Sequence, residues 1–151
     1  MPVPVRPEVS EIGIVVVVAA LLVTVAAAWW LRTRDGAVTA GPVRTLPPVF
    51  ERLGIRTGDA DLTVVQFSTA FCGPCRTTKA RLAQLQATRP GLAVVQVDAE
   101  SHLEEVRELD VRRTPTLFYL GRDGGLIGRS SGAPRPAELT ALVDSYVGPR
   151  G

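Results

Sequence analysis

The stretch Phe71-Cys72-Gly73-Pro74-Cys75 holds the only two cysteines of this 151-residue chain. It lies where a strand pattern gives way to a helix pattern. Before it, residues 62–67 form a nearly continuous apolar run rich in β-branched side chains, which predicts a buried strand. After it, apolar side chains such as Leu82 and Leu85 recur at helical spacing, which predicts a helix over residues 73–88.

A cysteine pair at the start of a helix has a distinctive chemistry. The first backbone N–H groups of a helix lack partners and carry partial positive charge, which favours a thiolate over a thiol. The thiolate is the reactive form, so such a pair can attack a disulfide, form a mixed disulfide and then close on itself. We therefore predict redox chemistry for Cys72 and Cys75.

Other uses of two nearby cysteines are less well supported. A zinc site needs about four ligands, and His102 is the only histidine, so no metal site is expected. Covalent haem attachment needs a histidine directly after the second cysteine, and Arg76 stands there. A purely structural disulfide stays an alternative, although such bonds usually close longer loops. We expect no cofactor beyond the cysteine pair itself.

An uncharged apolar run over residues 12–31 predicts a single transmembrane helix after a short N-terminal tail at residues 1–11. About 20 residues at about 1.5 Å each span about 30 Å, the thickness of a bilayer's hydrocarbon core. Trp29 and Trp30 stand at one end, where amphipathic rings prefer the membrane interface. A cleaved signal peptide ending at the small residues 26–28 is the alternative. It is disfavoured because Glu8 and Glu11 offset the basic Arg6.

The rest of the chain divides into a linker at residues 32–47, rich in Gly and Pro, and a domain at residues 48–151. The formal net charge of +2 and the lack of a Lys/Arg run give no reason to expect a nucleic-acid partner. The apolar spacing of the domain predicts a short helix at 49–53 and helices around 103–109 and 139–147. It also predicts strands at 92–97 and 116–120, followed by a hairpin turn at 121–125 and a return strand from 126. Ser101 and Glu104 match a capping box for the first of these two helices. This order predicts an α/β domain with helices on both faces of a mixed sheet.

At this point the chain resembles the thioredoxin family. Cys72-Gly73-Pro74-Cys75 is similar to the family's active-site tetrapeptide, and Arg113-Thr114-Pro115-Thr116 to its cis-proline loop. Asp98 resembles the acid that closes the central strand, and Gly132 the glycine before the last helix. The resemblance covers about residues 48–147. It implies the thioredoxin fold, here behind one N-terminal transmembrane helix.

The resemblance also implies an activity, namely reduction of protein disulfides by a membrane-anchored oxidoreductase. Cys72 would be the nucleophile and Cys75 the resolving thiol, with Gly73-Pro74 shaping the turn and Thr114-Pro115, through a cis bond, holding the substrate extended. An electron donor such as thioredoxin reductase or a membrane reductase would recharge the pair. A disulfide oxidase or isomerase, or a tethered binding module with weak catalysis, are the alternatives.

Two positions depart from the family pattern. Phe71 replaces the usual tryptophan before the first cysteine, and is expected to keep an aromatic wall there. Gln66 replaces a buried aspartate that helps to move the proton of the second thiol. A glutamine can form hydrogen bonds but cannot accept that proton, so we expect the rate of turnover to be affected more than the type of chemistry.

The side of the membrane on which the domain lies is predicted by charge. Before the apolar run only Arg6 and the terminal amine are basic. After it follow several arginines within reach of the membrane: Arg32, Arg34, Arg44, Arg52 and Arg56. Positively charged flanks stay cytoplasmic, so a cytoplasmic domain is predicted, although family analogy favours an outward-facing one.

Overall fold

The computed structural model describes residues 8–34, 36–40 and 48–148, and their side chains at residues 13–31, 36–38 and 48–148. The chain forms two compact units, Met1–Arg34 and Asp35–Gly151. Residues 1–7 of the predicted N-terminal tail and residues 35 and 41–47 of the predicted linker lie outside the described residues.

The described part of the first unit, residues 8–34, forms the helix α1, Glu8–Arg34. Its segment Gly13–Leu31 has a mean hydropathy of 2.6, with none of it buried inside the protein, and is long and apolar enough to cross a membrane. A signal sequence near an N-terminus has the same length and composition. Thr24, the segment's only hydroxyl, donates a hydrogen bond to Ala20 O at 2.8 Å, which satisfies it within the helix.

The second unit is a mixed sheet with helices on both faces. Its elements in chain order are β1 Val38–Ala40, α2 Pro48–Arg52, β2 Leu62–Ser68, α3 Gly73–Thr88, β3 Leu92–Asp98, α4 Leu103–Glu108, β4 Thr116–Gly121, β5 Leu126–Ser131 and α5 Pro136–Tyr146. The described strands are ordered β1-β5-β4-β2-β3. Strands β2 and β3 pair in parallel and the other pairs are antiparallel. The predicted α/β architecture is therefore confirmed.

Two apolar clusters hold the helices against the sheet. Because side chains alternate along a strand, Leu62 and Val64 of β2 face α3 and α5, whereas Val65 and Phe67 face α2 and α4. Phe118 of β4 lies at the centre of the second cluster, with its ring edge-on to Phe50 at 5.4 Å and to Phe67 at 5.7 Å. Strand β2 is covered on both faces, and this explains its nearly continuous apolar sequence.

The linker prediction was wrong for part of its length. Residues Val38–Ala40 form strand β1, which pairs with β5, and the Gly36 N–H donates to Ser131 O at 2.8 Å. Gly36 adopts a φ of 78°, and a Cβ there would lie 2.1 Å from Ala133 O, so only glycine fits this turn. The folded unit thus begins before residue 48. So short a strand has no apolar run by which the sequence could predict it, because it forms through its pairing with β5.

Two further predictions need correction. Strand β3 lies at the end of the described sheet and is only partly covered, so Asp98 closes an outer strand and not the central one. The capping box does not form. The Ser101 hydroxyl donates instead to Asp98 Oδ2 at 2.5 Å, and α4 starts at Leu103 without a side-chain cap. The Asp98 carboxylate takes the hydrogen bond of the Ser101 hydroxyl, so this hydroxyl does not cap α4.

Candidate active site

The two cysteines lie at the N-terminus of α3, as predicted. Cys72 is the N-cap residue, with extended backbone, and its Sγ accepts a hydrogen bond from the Cys75 N–H at 3.2 Å. The pair forms a disulfide with the Cα atoms 5.2 Å apart. Cys72 is half-buried, whereas Cys75 is only 4% exposed. One sulfur therefore meets solvent and the other lies behind it.

The first turn of α3 supports a negative charge on the outer sulfur. Its N–H groups point towards the N-cap, and no acidic residue lies in that turn to compete for them. Pro74 removes one of the unpaired N–H groups and presets the helical backbone. Anions are stabilised at such a terminus by about 0.3–1 kcal/mol, and more where the site is partly buried.

A cavity of about 180 Å³ opens beside the disulfide. It is lined by Gln66, Ser68, Thr69, Cys72, Cys75, Arg76, Lys79 and Gln96. Of these, the two cysteines and Gln66 were predicted from the sequence as site residues. Arg76 and Lys79 follow the cysteines by four residues each, so helical periodicity could have placed them on the same face. Gln96 could have been found from the parallel pairing of β2 and β3, which sets it beside Gln66.

Gln66 is fully buried, and both ends of its amide form hydrogen bonds. Its Nε2 donates to Cys75 O at 3.0 Å, and its Oε1 accepts from Gln96 Nε2 at 3.3 Å. The glutamine therefore holds the first turn of α3 against β2. It offers no proton acceptor, and no carboxylate is among the described residues that line this cavity.

The proline loop lies next to the cysteine turn. The Thr114–Pro115 peptide bond is cis, as predicted. Thr114 Oγ1 is 3.5 Å from Thr69 Oγ1, and the Cys72 N–H donates to Thr69 O at 3.3 Å, so Thr69 connects the two segments. On the other side Pro115 O accepts from the Gly132 N–H at 2.7 Å. Gly132, at a φ of 96°, thus fixes the loop to the end of β5.

Arg129 of β5 anchors the segment that leads into this loop. Its guanidinium donates to Leu109 O at 3.1 Å and to Asp110 O at 3.2 Å, and lies 5.1 Å from the centre of the Phe118 ring. These carbonyls follow the last turn of α4, where a cation is favourable. Arg129 was not predicted as a site residue, because nothing in a strand pattern shows which carbonyls its side chain reaches.

Phe71 does not form the wall that was expected. Its side chain is 95% exposed and is not among the residues that line the cavity. The turn before Cys72 directs it to solvent, so an aromatic residue is presented at the rim of the site.

Asp98 is also outside the cavity. Hydrogen bonds from the Ser101 hydroxyl and then from the Glu100 N–H lower the pKa of its carboxyl below the usual value. His102 lies beside it, with Nδ1 3.0 Å from Asp98 O. Neither Asp98 nor His102 lines the cavity beside the disulfide. Within the described part of the chain, no group of three or more His, Cys, Asp or Glu side chains could hold a metal ion.

Comparison with known proteins agrees with this geometry. The sequence model of the family "Thioredoxin" matches residues 42–145. The chain is 31% identical to Thioredoxin H4-1 of Oryza sativa over 58% of this chain and 68% of that protein. It is 36% identical to mitochondrial Thioredoxin-3 of Saccharomyces cerevisiae over 56% of this chain and 65% of that one.

Solved structures give the same fold. The oxidized form of Saccharomyces cerevisiae mitochondrial thioredoxin 3 is 30% identical, with a TM-score of 0.51 over 58% of this chain and 81% of that chain. Thioredoxin f2 of Chlamydomonas reinhardtii, at 24% identity, has a TM-score of 0.56 over 72% of this chain and all of that one. With a family match over most of its length and a disulfide-forming cysteine pair at the start of α3, this chain belongs to the thioredoxin family and is a thioredoxin-like thiol–disulfide oxidoreductase.

Proposed function

We propose that this protein is a membrane-anchored reductase of protein disulfides. The observation that carries the proposal is the unequal exposure of the two cysteines at the N-terminus of α3, with Cys72 at the surface and Cys75 buried. Gly73-Pro74 between them resembles the turn of reducing family members, which favours reduction over oxidation.

The reaction is a two-step exchange. The Cys72 thiolate attacks one sulfur of the substrate disulfide, forms a mixed disulfide and displaces the other substrate sulfur as a thiolate, which takes up a proton. Cys75 then loses its proton and attacks Cys72 Sγ, which releases the second substrate thiol and closes the Cys72–Cys75 disulfide. Two electrons pass to the substrate. A dithiol donor, such as thioredoxin reductase or a membrane reductase, must supply two electrons to restore the reduced pair.

The reduction potential of the pair tests the direction of the reaction. For a reductant we expect a value close to that of thioredoxin, about −270 mV, and reduction of insulin with dithiothreitol as the electron source. The potential is measured from the equilibrium of the full chain, in neutral detergent, with glutathione redox buffers. A potential above about −180 mV would indicate an oxidase or isomerase. Absence of insulin reduction by the wild type would favour a tethered binding module. This is the second candidate function, because Gln66 leaves the cavity without a carboxylate to accept the Cys75 proton.

Anchoring by α1 is supported by its exposed apolar surface. Side chains such as Leu22, Val23 and Trp29 are more than half exposed to solvent. Exposure of apolar surface to water is unfavourable, and insertion of α1 into lipid would remove that unfavourable free energy. We propose that α1 is retained as the anchor and that the domain faces the cytoplasm, because arginines follow the apolar segment. A cytoplasmic reductase could recharge the domain directly in that orientation.

Reporter fusions test the orientation. Alkaline phosphatase is active only where its disulfides form, so its fusion after Gly151 is expected to be inactive, and β-galactosidase at the same position to be active. The opposite pair of results would contradict a cytoplasmic domain. The mass of the purified protein distinguishes an anchor from a cleaved signal: loss of residues 1–28 would reject anchoring by α1.

A further inference from the structure

The active-site helix carries charge of one sign. Between Asp61 and Asp98 the sequence has no acidic residue. Within this stretch α3 carries three cations, Arg76, Lys79 and Arg81. The positive charge near the cysteines is therefore not balanced locally along the chain.

Most cations among the domain's described residues have side-chain partners. Arg56 and Arg107 do not, and neither do two cations beside the disulfide. Arg81 donates to Thr140 Oγ1 at 2.9 Å and so ties α3 to α5. Five other arginines form ion pairs with carboxylates, namely Arg52, Arg89, Arg112, Arg122 and Arg135. Arg76 and Lys79 are exposed, and their side chains form neither a hydrogen bond nor an ion pair with any described residue. Nothing in the described fold uses their charge.

Both free cations line the cavity beside the disulfide. Arg76 lies one helical turn after Cys72, and Lys79 one turn after Cys75, so both project from the face of α3 that bears the sulfurs. The other lining residues are neutral hydrogen-bonding groups: Gln66, Ser68, Thr69 and Gln96. A substrate disulfide that binds at Cys72 over this cavity would therefore lie beside Arg76 and Lys79.

We propose that Arg76 and Lys79 select protein substrates that carry Asp or Glu side chains next to the reactive disulfide. This inference rests on the proposed function and names its substrate class. A carboxylate placed against two otherwise unpaired cations gains a favourable interaction and is steered to the site during diffusional encounter. A basic flank on the substrate would instead meet like charge, which disfavours the wrong partner.

Two synthetic peptides test the proposal. Both contain the same intramolecular disulfide, flanked in one by Glu and in the other by Gln. The full chain, reduced with dithiothreitol and held in neutral detergent, is mixed with each peptide, and the second-order rate of single-turnover reduction is measured. We expect the Glu peptide to react about tenfold faster at low salt. The ratio should approach one at about 1 M salt, where the screening length falls to about 3 Å.

Charge-neutralising variants locate the effect. The double variant R76Q/K79Q should lose the preference for the Glu peptide. The matched control R56Q/R107Q removes the same charge from two exposed arginines that do not line the cavity. It should keep the preference.

The outcomes separate the two proposals. Equal rates with both peptides in the wild type, or a preference that survives in R76Q/K79Q, would overturn the charge inference and leave the reductase function standing. Failure to reduce either peptide would overturn the reductase function and, with it, the inference.

Discussion

Cys72→Ser is expected to reduce the rate of insulin reduction by at least about 1,000-fold, as loss of a catalytic nucleophile does in other enzymes. The serine hydroxyl stays protonated in the usable pH range and does not attack a disulfide. The fold should be unaffected, because Cys72 is the half-buried N-cap of α3 and serine is a favourable N-cap residue. Turnover with dithiothreitol as donor, together with the circular dichroism spectrum, measures both quantities.

Cys75→Ser should give a different defect. The first attack by Cys72 remains possible, but no thiol is present to release the substrate, so the mixed disulfide should accumulate. Mass spectrometry of the intact protein after mixing with a disulfide peptide would detect the added mass. Full turnover by either serine variant, or accumulation of the adduct on Cys75 in Cys72→Ser, would contradict the assigned roles.

The parts of the fold that sequence predicts well are those whose signal is local. Strand β2 is covered by helices on both faces, so its apolar run needs no partner to be recognised. Helix α3 begins at the cysteine motif and ends at Thr88, ahead of the break at Pro90, and both limits are visible in the sequence. The cis bond at Thr114–Pro115 was predicted from the motif around it.

The parts that were mispredicted depend on neighbours distant in sequence. Strand β1 exists through its pairing with β5, whose register no pattern within Val38–Ala40 reveals. The hydroxyl of Ser101 could bond to its own helix or to Asp98, and only the structure shows that Asp98 is closer. Phe71 has the apolar character of a wall residue, but the path of the turn exposes it.

The active site shows the same division. The reactive sulfurs were predicted directly, because two cysteines separated by two residues at the start of a helix indicate thiol–disulfide chemistry. The cationic lining was not predicted. Helical periodicity places Arg76 and Lys79 on the face of the cysteines, but no sequence pattern shows that this face borders a cavity beside the disulfide. Gln66 was identified as a departure from the family, but its second bond, to Gln96, needed the pairing of β2 with β3.

Gln66→Asp is expected to make stability depend strongly on pH. Residue 66 is fully buried, and an ionised aspartate there would face the Cys75 carbonyl oxygen instead of donating to it. Burial should raise the pKa of this carboxyl in the folded state above the unfolded value of about 3.9. Stability is then retained below the unfolded pKa and is lost, by about 1.4 kcal/mol per pH unit, as the pH rises towards the folded pKa.

The neutral variant Gln66→Asn is the matched control, because it has the size of aspartate without the charge. At pH 7 we expect Gln66→Asp to be less stable than Gln66→Asn by about 2–4 kcal/mol, and the two to converge near pH 4. Thermal unfolding of the full chain in detergent, at several pH values, measures the difference. Equal melting temperatures of the two variants at pH 4 and pH 8 would show that water reaches residue 66.

The same substitution should accelerate the second step of the reaction. Cys75 must lose a proton before it attacks the mixed disulfide. Residue 66 and Cys75 line the same cavity, so a carboxylate at position 66 would provide a proton acceptor there, whereas the amide of Gln66 accepts no proton. Positioned general bases contribute about 10²–10⁴-fold, so we expect the mixed disulfide to decay at least about tenfold faster in Gln66→Asp than in Gln66→Asn. Rapid acid quenching followed by mass spectrometry gives this rate. If both variants resolve the mixed disulfide equally fast, solvent already removes the proton and the buried glutamine serves only to hold α3 against β2.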